Sequence, residues 1–197
     1  ILGTIGKFEF EKKEFLNKGG QGFNITLPFK QEAYNLADIK SDIAKITGSV
    51  NTISIKDDLI YGDNTDGSGF IKDIKNNIGY DIRKKKVLIL GAGGAAMGII
   101  PNILYEQPSE FKIYNRTYEK AKKLCNKFLE IGKLDIVSLE DLEKNKFDII
   151  INSTSAGISD TEFFLPNNFF KNDAICYDLS YGAASNSFKN WANKNKL

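Results

Sequence analysis

From about residue 86 onward, short apolar runs alternate with stretches whose apolar positions recur at helical spacing. KKVLIL, EFKIYN, LDIV, FDIIIN and AICYDLS read as strands, and AAMGIIPNIL, TYEKAKKLCNKFLE and SLEDLEK (138–144) as helices. Strands alternating with helices predict a doubly wound parallel sheet with both faces covered, an α/β architecture. The region before residue 66 has a different rhythm, with strands expected at FNITL, VNTISIK and DLIYG and a helix near EAYNLADIK. Within GFNITLPFK (22–30), Asn24, Thr26 and Lys30 fall on one face of an extended chain and Ile25, Leu27 and Phe29 on the other. Alternation is first a burial signal, and Pro28 suits the end of a strand or a sheet edge, so the polar face is either the wet side of an edge or the floor of a pocket. The two regions meet at GDNTDGSGF, rich in residues that favour turns, and IKDIKNNI follows as a connecting helix. The expected division is 1–66 and 67–197, with 67–85 as connecting helix and linker.

Composition narrows the chemistry. With 27 Lys and Arg against 25 acids the net charge is +2, which gives little reason to expect a nucleic-acid partner. Cys125 and Cys176 match no metal or redox spacing and are expected as reduced thiols. No apolar run in the sequence has the length of a membrane span and no signal-like segment stands at its start, so the expectation is a cytoplasmic protein without a membrane partner. The sequence has no histidine, which removes Ser-His-Asp triads, Cys-His nucleophiles and histidine-based zinc sites together. Proton transfer is left to Lys, Asp, Glu, Tyr or water.

VLILGAGGAAMG places Gly91, Gly93 and Gly94 directly after an expected strand and before an expected helix. In the GxGxxG/A pattern the first glycine makes the tight turn and the second admits the backbone to a pyrophosphate. Here Ala96 fills the third position, where a small residue allows close helix packing. The helix N-terminus then offers N–H groups to the phosphates. The next strand ends in Tyr114, Asn115, Arg116 and Thr117, where an NAD-binding protein would carry an acid for the ribose hydroxyl. A guanidinium forms charge-assisted hydrogen bonds to a 2′-phosphate, and Lys120 adds a second positive charge, so the expected cofactor is NADP(H). The simpler alternative is a surface arginine beside a threonine that caps the helix.

Taken together, GFNITLPFK, SVNT (49–52), GDNTDG (62–67), GAGGAA (91–96), NRT (115–117), INSTSAG (151–157) and DLSYG (178–182) resemble the shikimate dehydrogenase family, in the family's order and over nearly the whole chain. The resemblance implies a substrate-binding domain over 1–66, a Rossmann-type NADP domain over 67–197 and an active-site cleft between them. It places the catalytic lysine at Lys30 and its partner aspartate at Asp66, with substrate contacts at Thr26, Asn51 and Tyr181. For the cofactor it implies Gly91, Ala92, Gly93, Gly94, Ala95, Asn115, Arg116, Thr117, Lys120, Asn152, Thr154 and Ser155, with no metal. Lys120 stands where the family commonly has Arg, a cation without the bidentate fork. The family's paired serines would precede Ile1 and its substrate-binding glutamine would follow Leu197, so both ends of the substrate domain are expected to be missing from this chain.

The implied reaction is the reversible NADPH-dependent reduction of 3-dehydroshikimate to shikimate by a monomer or homodimer. An ammonium at Lys30 suits the stabilisation and protonation of the alkoxide that forms as hydride arrives. Two alternatives stay open: a quinate/shikimate dehydrogenase of relaxed specificity, and a non-catalytic NADP(H)-binding module in which Lys30 and Asp66 form an ordinary ion pair.

Overall fold

The computed structural model describes Thr4 and residues 6–26, 28–154 and 165–197. The chain divides into two compact units, Ile1–Gly69 and Phe70–Leu197.

The first unit is built around a four-stranded sheet. In chain order its elements are α1 (Phe8–Asn17), β1 (Gly22–Asn24), α2 (Lys30–Leu36), β2 (Ile39–Lys40), α3 (Asp42–Thr47), β3 (Thr52–Lys56) and β4 (Leu59–Asp63), followed by α4 (Asp66–Lys72), which crosses the division. The sheet order is β1-β3-β4-β2, with β1 and β4 antiparallel to β3 and β2 parallel to β4. Phe8, Ile25, Phe29, Ala33, Ala44, Val50 and Ile53 form its core. Helix α3 is bounded by local chemistry: the Ser41 hydroxyl accepts the Ala44 N–H at its start, and Gly48 adopts φ 67° at its end.

Three expectations change here. Ladder pairing of FNITL stops at Asn24, yet the burial alternation persists, because Ile25 and Phe29 stay buried while Asn24 and Thr26 stay exposed. The expected helix EAYNLADIK ends at Leu36, and Ile39–Lys40 joins the sheet beside β4. The run GDNTDGSGF is not all turn: β4 extends through Asp63 and α4 begins at Asp66, so Gly67 and Gly69 lie inside a helix. Turn propensity is a local preference, and the tertiary setting overrides it.

The second unit begins with a π-helical turn (Asp73–Ile78). It continues through β5 (Lys86–Leu90), α5 (Gly94–Tyr105), β6 (Glu110–Tyr114), α6 (Tyr118–Lys127), β7 (Asp135–Ile136), α7 (Leu139–Leu142), β8 (Phe147–Asn152), β9 (Phe170–Asp178), a 3₁₀ turn (Gly182–Ser185) and α8 (Asn186–Lys194). Its sheet is parallel throughout, in the order β7-β6-β5-β8-β9. Central strands β5 and β8 are nearly continuous runs of buried residues, as expected where both faces are covered. The core includes Leu88, Leu90, Phe147, Ile150, Phe169, Phe188 and Trp191. Among the described residues, no helix is long and apolar enough to cross a membrane.

Candidate active site and nucleotide loop

In the first unit the chemistry gathers where Lys30 opens α2 and Asp66 opens α4. Lys30 Nζ donates to Asp66 Oδ2 at 2.6 Å, with the two side chains 17% and 26% exposed, so the pair is shielded but reachable. The other carboxylate oxygen, Oδ1, accepts the Asn51 side-chain N–H at 2.6 Å. Asn51 Oδ1 in turn accepts the Thr65 N–H at 2.9 Å and lies 2.8 Å from the Thr52 hydroxyl. The chain around the pair is also pinned through the backbone: the Val50 N–H donates to Lys30 O, the Asn51 N–H to Asp63 O and the Ile25 N–H to Asn51 O. The segment 50–51 therefore holds the lysine and the aspartate in register.

Thr26 lies exposed next to this cluster in sequence, and its carbonyl accepts the Phe29 N–H one residue before Lys30. Lys30, Asp66 and Asn51 are brought into direct contact; Tyr181, on the second unit, is 91% exposed at the start of the 3₁₀ turn. Sequence reasoning missed Asn64 and Ser49. Both sit inside the motifs GDNTDG and SVNT, both are buried, and the Asn64 side chain donates to Ser49 Oγ at 2.8 Å. A polar residue in a turn-rich run reads as solvated until a contact shows otherwise.

In the second unit, the glycine loop joins β5 to α5. Gly91 adopts φ 101°, and a Cβ there would lie 2.9 Å from the Ser153 hydroxyl and 3.1 Å from the Ser153 backbone, so glycine is required both for conformation and for space. At Gly93 a Cβ would meet nothing within 4 Å. Gly93 is the N-cap of α5 and makes no side-chain capping bond, and the N-terminus of a helix leaves backbone N–H groups that a phosphate can satisfy. Ala96 is fully buried, which fits the small residue expected in the third position. Gly94 and Ala95 form the first turn of α5.

Asn115 ties the glycine loop to the end of β6. Its Oδ1 accepts the Ala92 N–H at 3.1 Å and its Nδ2 donates to Thr117 O at 2.8 Å. Arg116, Thr117 and Lys120 are exposed beyond it, and Thr117 occupies the N-cap position of α6 without a side-chain capping bond. The end of β6 thus carries Arg116 where an NAD-binding protein would carry an acid, and the first turn of α6 adds Lys120 beside Glu119, a set suited to a dinucleotide carrying a 2′-phosphate.

Asn152, at the end of β8, is 1% exposed and fully engaged: its Nδ2 donates to Asp178 Oδ1 at 3.1 Å, while its Oδ1 accepts the Thr154 N–H at 3.1 Å and the Thr154 hydroxyl at 2.8 Å. It braces the loop that carries Thr154. Ser155 lies outside the described residues. Among the described residues, no group of three or more Cys, Asp or Glu side chains is arranged to hold a metal. Burial pushes the free thiols of Cys125 and Cys176 up to about 11 and about 12, the former with help from Asp135, so both are poor nucleophiles near neutral pH.

The chain matches two family models, one described as shikimate dehydrogenase substrate binding domain over residues 4–53 and one as shikimate / quinate 5-dehydrogenase over residues 73–161. It is 45% identical over 197 residues to the shikimate dehydrogenase (NADP(+)) of Vesicomyosocius okutanii, covering 99% of this chain and 72% of that protein. Among solved structures it is similar to an Ael1 enzyme from Pseudomonas putida, with a TM-score of 0.86, 37% identity and coverage of 99% and 72% of the two chains. It is also similar to the shikimate 5-dehydrogenase of Thermus thermophilus in complex with NADP(H) and shikimate, with a TM-score of 0.84, 28% identity and coverage of 99% and 71%. A relative this similar over so much of both chains, with family models matching each unit, establishes that this chain belongs to the shikimate dehydrogenase family.

Proposed function

We propose that the protein catalyses the reversible NADPH-dependent reduction of 3-dehydroshikimate to shikimate, a step of the route to chorismate and the aromatic amino acids. The observation that carries the residue assignment is the Asn51–Asp66–Lys30 relay, in which one carboxylate is held by two donors at 2.6 Å. NADP(H), when bound, supplies or accepts the hydride. Its phosphates fit the Gly91–Ala95 loop and the N-terminus of α5, and its 2′-phosphate fits Arg116, Lys120 and the Thr117 hydroxyl. Asn115, Asn152, Thr154 and Ser155 complete the assignment, Asn115 by holding the glycine loop at Ala92 and Asn152 by holding Thr154.

Lys30 Nζ holds the proton that the substrate oxygen requires as it gains negative charge, and its ammonium stabilises that charge before the transfer. Asp66 orients the ammonium and accepts from a substrate hydroxyl, while Asn51 keeps the carboxylate from rotating. In the oxidative direction the same nitrogen receives the proton. Thr26 and Tyr181 are assigned as substrate contacts. The reading carries a cytoplasmic location and a dissolved small-molecule substrate.

The test is shikimate-dependent reduction of NADP⁺ compared with NAD⁺, followed by absorbance, on the full gene product and on the 197-residue chain side by side. Turnover with a preference for NADP⁺ supports the reading. NADPH binding without turnover of shikimate or quinate by either protein would replace it with the binding-module reading. A quinate rate comparable to that with shikimate would assign the relaxed quinate/shikimate activity, which the family model's description also names.

A further inference from the structure

Asn64 is 3% exposed, and both ends of its carboxamide are engaged. The Nδ2 atom donates to Ser49 Oγ at 2.8 Å and lies 3.3 Å from Ser49 O, on the loop between α3 and β3. The Oδ1 atom accepts the backbone N–H of Asp66 at 3.2 Å. The Asn64 N–H donates to Asp63 Oδ1 at 2.7 Å, and that oxygen also accepts the Ser41 hydroxyl. A buried amide with partners on both sides fixes its neighbours in one geometry, because any rotation leaves a desolvated donor or acceptor unpaired. Two further links leave the same loop: Val50 N–H holds Lys30 O, and Asn51 Nδ2 holds Asp66 Oδ1.

We propose that Asn64, anchored on Ser49, is a positioning residue for the Lys30–Asp66 pair: it sets where α4 begins and hence where the Asp66 carboxylate meets the lysine. The inference rests on the role given to that pair above. Asn64 makes no hydrogen bond to the Lys30 ammonium or the Asp66 carboxylate, so its effect is on the placement of the pair and not on its charge.

The test compares three variants of the full-length protein. Asn64→Leu keeps the approximate size and removes both hydrogen-bonding ends. Asn64→Ser retains a short oxygen able to accept the Asp66 N–H. Ile53→Ala removes buried apolar volume in the same unit and serves as the control for lost stability. Misplacing a reacting group by about an ångström costs on the order of 10²-fold, so Asn64→Leu is expected to lose that much in kcat at saturating shikimate, with the affinity for NADP⁺ within about twofold of wild type. Asn64→Ser recovers part of the loss, and Ile53→Ala keeps its kcat at a comparable fall in Tm.

A second readout needs no turnover. Trace acetylation with acetic anhydride, read by peptide mass, is expected to label Lys30 several-fold faster relative to exposed Lys45 in Asn64→Leu than in wild type or Ile53→Ala. An unchanged labelling ratio, or a kcat loss in Asn64→Leu no larger than in Ile53→Ala at matched Tm, overturns the proposal. Failure of wild type to turn over shikimate overturns the functional reading instead, and the labelling ratio, measured on Asn64→Ser if Asn64→Leu does not fold, still decides the positioning role.

Discussion

Asn51 Nδ2 donates to Asp66 Oδ1 at 2.6 Å, on the opposite side of the carboxylate from the oxygen that accepts Lys30 Nζ. The aspartate is held on two sides by groups on different elements, one a neutral amide and one an ammonium. Removing the amide leaves the charge pair in place but free to rotate. Asn51→Ala is therefore expected to lower kcat by about tenfold or more, since loss of near-attack geometry acts on the chemical step. NADPH affinity, read by fluorescence titration, is expected to stay unchanged; a matching loss of cofactor binding would count against a local role.

Lys30→Ala removes the proton donor itself. A positioned acid contributes about 10²- to 10⁴-fold, and a loss of that size is expected in steady-state turnover while NADPH still binds. The fold of the first unit is expected to persist, because the Lys30 backbone carbonyl keeps its bond from Val50 N–H. Circular dichroism and thermal melts separate this from misfolding: equal loss of turnover and cofactor binding would point to the latter.

At the nucleotide loop, Arg116 and Asn115 are expected to fail in different ways. Arg116→Ala removes a charged donor for the 2′-phosphate, so KM for NADP⁺ rises by about tenfold while KM for NAD⁺ changes little. Asn115→Ala instead frees the Ala92 N–H and the Thr117 carbonyl, which loosens the loop for both dinucleotides. Equal losses with both cofactors for Arg116→Ala would remove it from the specificity role.

Gly91→Ala is expected to destabilise the second unit by about 1 to 3 kcal/mol, the scale of a non-glycine residue forced into a sparsely populated conformation. The added Cβ would also press on the Ser153 backbone 3.1 Å away, which cannot swing aside as a side chain could. Urea unfolding measures it, and a midpoint unchanged from wild type would show that the loop adjusts freely.

The acid limb of stability has a specific contributor at the opposite ends of the strands. Burial pushes the Asp148 carboxyl up, but the Lys171 ammonium at 2.6 Å and the Lys86 N–H at 2.8 Å outweigh it and hold the group below the usual carboxylate range. A carboxyl depressed in the folded state stabilises above the unfolded value of about 3.9 and loses that contribution as pH falls through the folded value. In Lys171→Met burial is opposed only by the Lys86 N–H and the Lys85 charge, so acid unfolding is expected to begin at higher pH. The stability difference from wild type, measured by urea unfolding, should be large at pH 7 and shrink below about pH 4. A difference independent of pH would assign Lys171 a packing role alone.

The alternating sheet of the second unit and its glycine loop were legible in the sequence because they rest on local signals. Apolar runs such as KVLIL and FDIIIN bury on both faces, and Gly91 is the residue its positive φ demands. The alternation of Ile25 and Phe29 against Asn24 and Thr26 also survived, although strand pairing ended at Asn24. The register that brings Asn51 to Asp66, the start of α4 inside a turn-rich run and the burial of Asn64 on Ser49 were decided by tertiary structure. Those outcomes depend on pairing between segments distant in sequence, where one hydrogen bond to a desolvated partner outweighs the weak local preference of Asn, Asp or Gly for a turn.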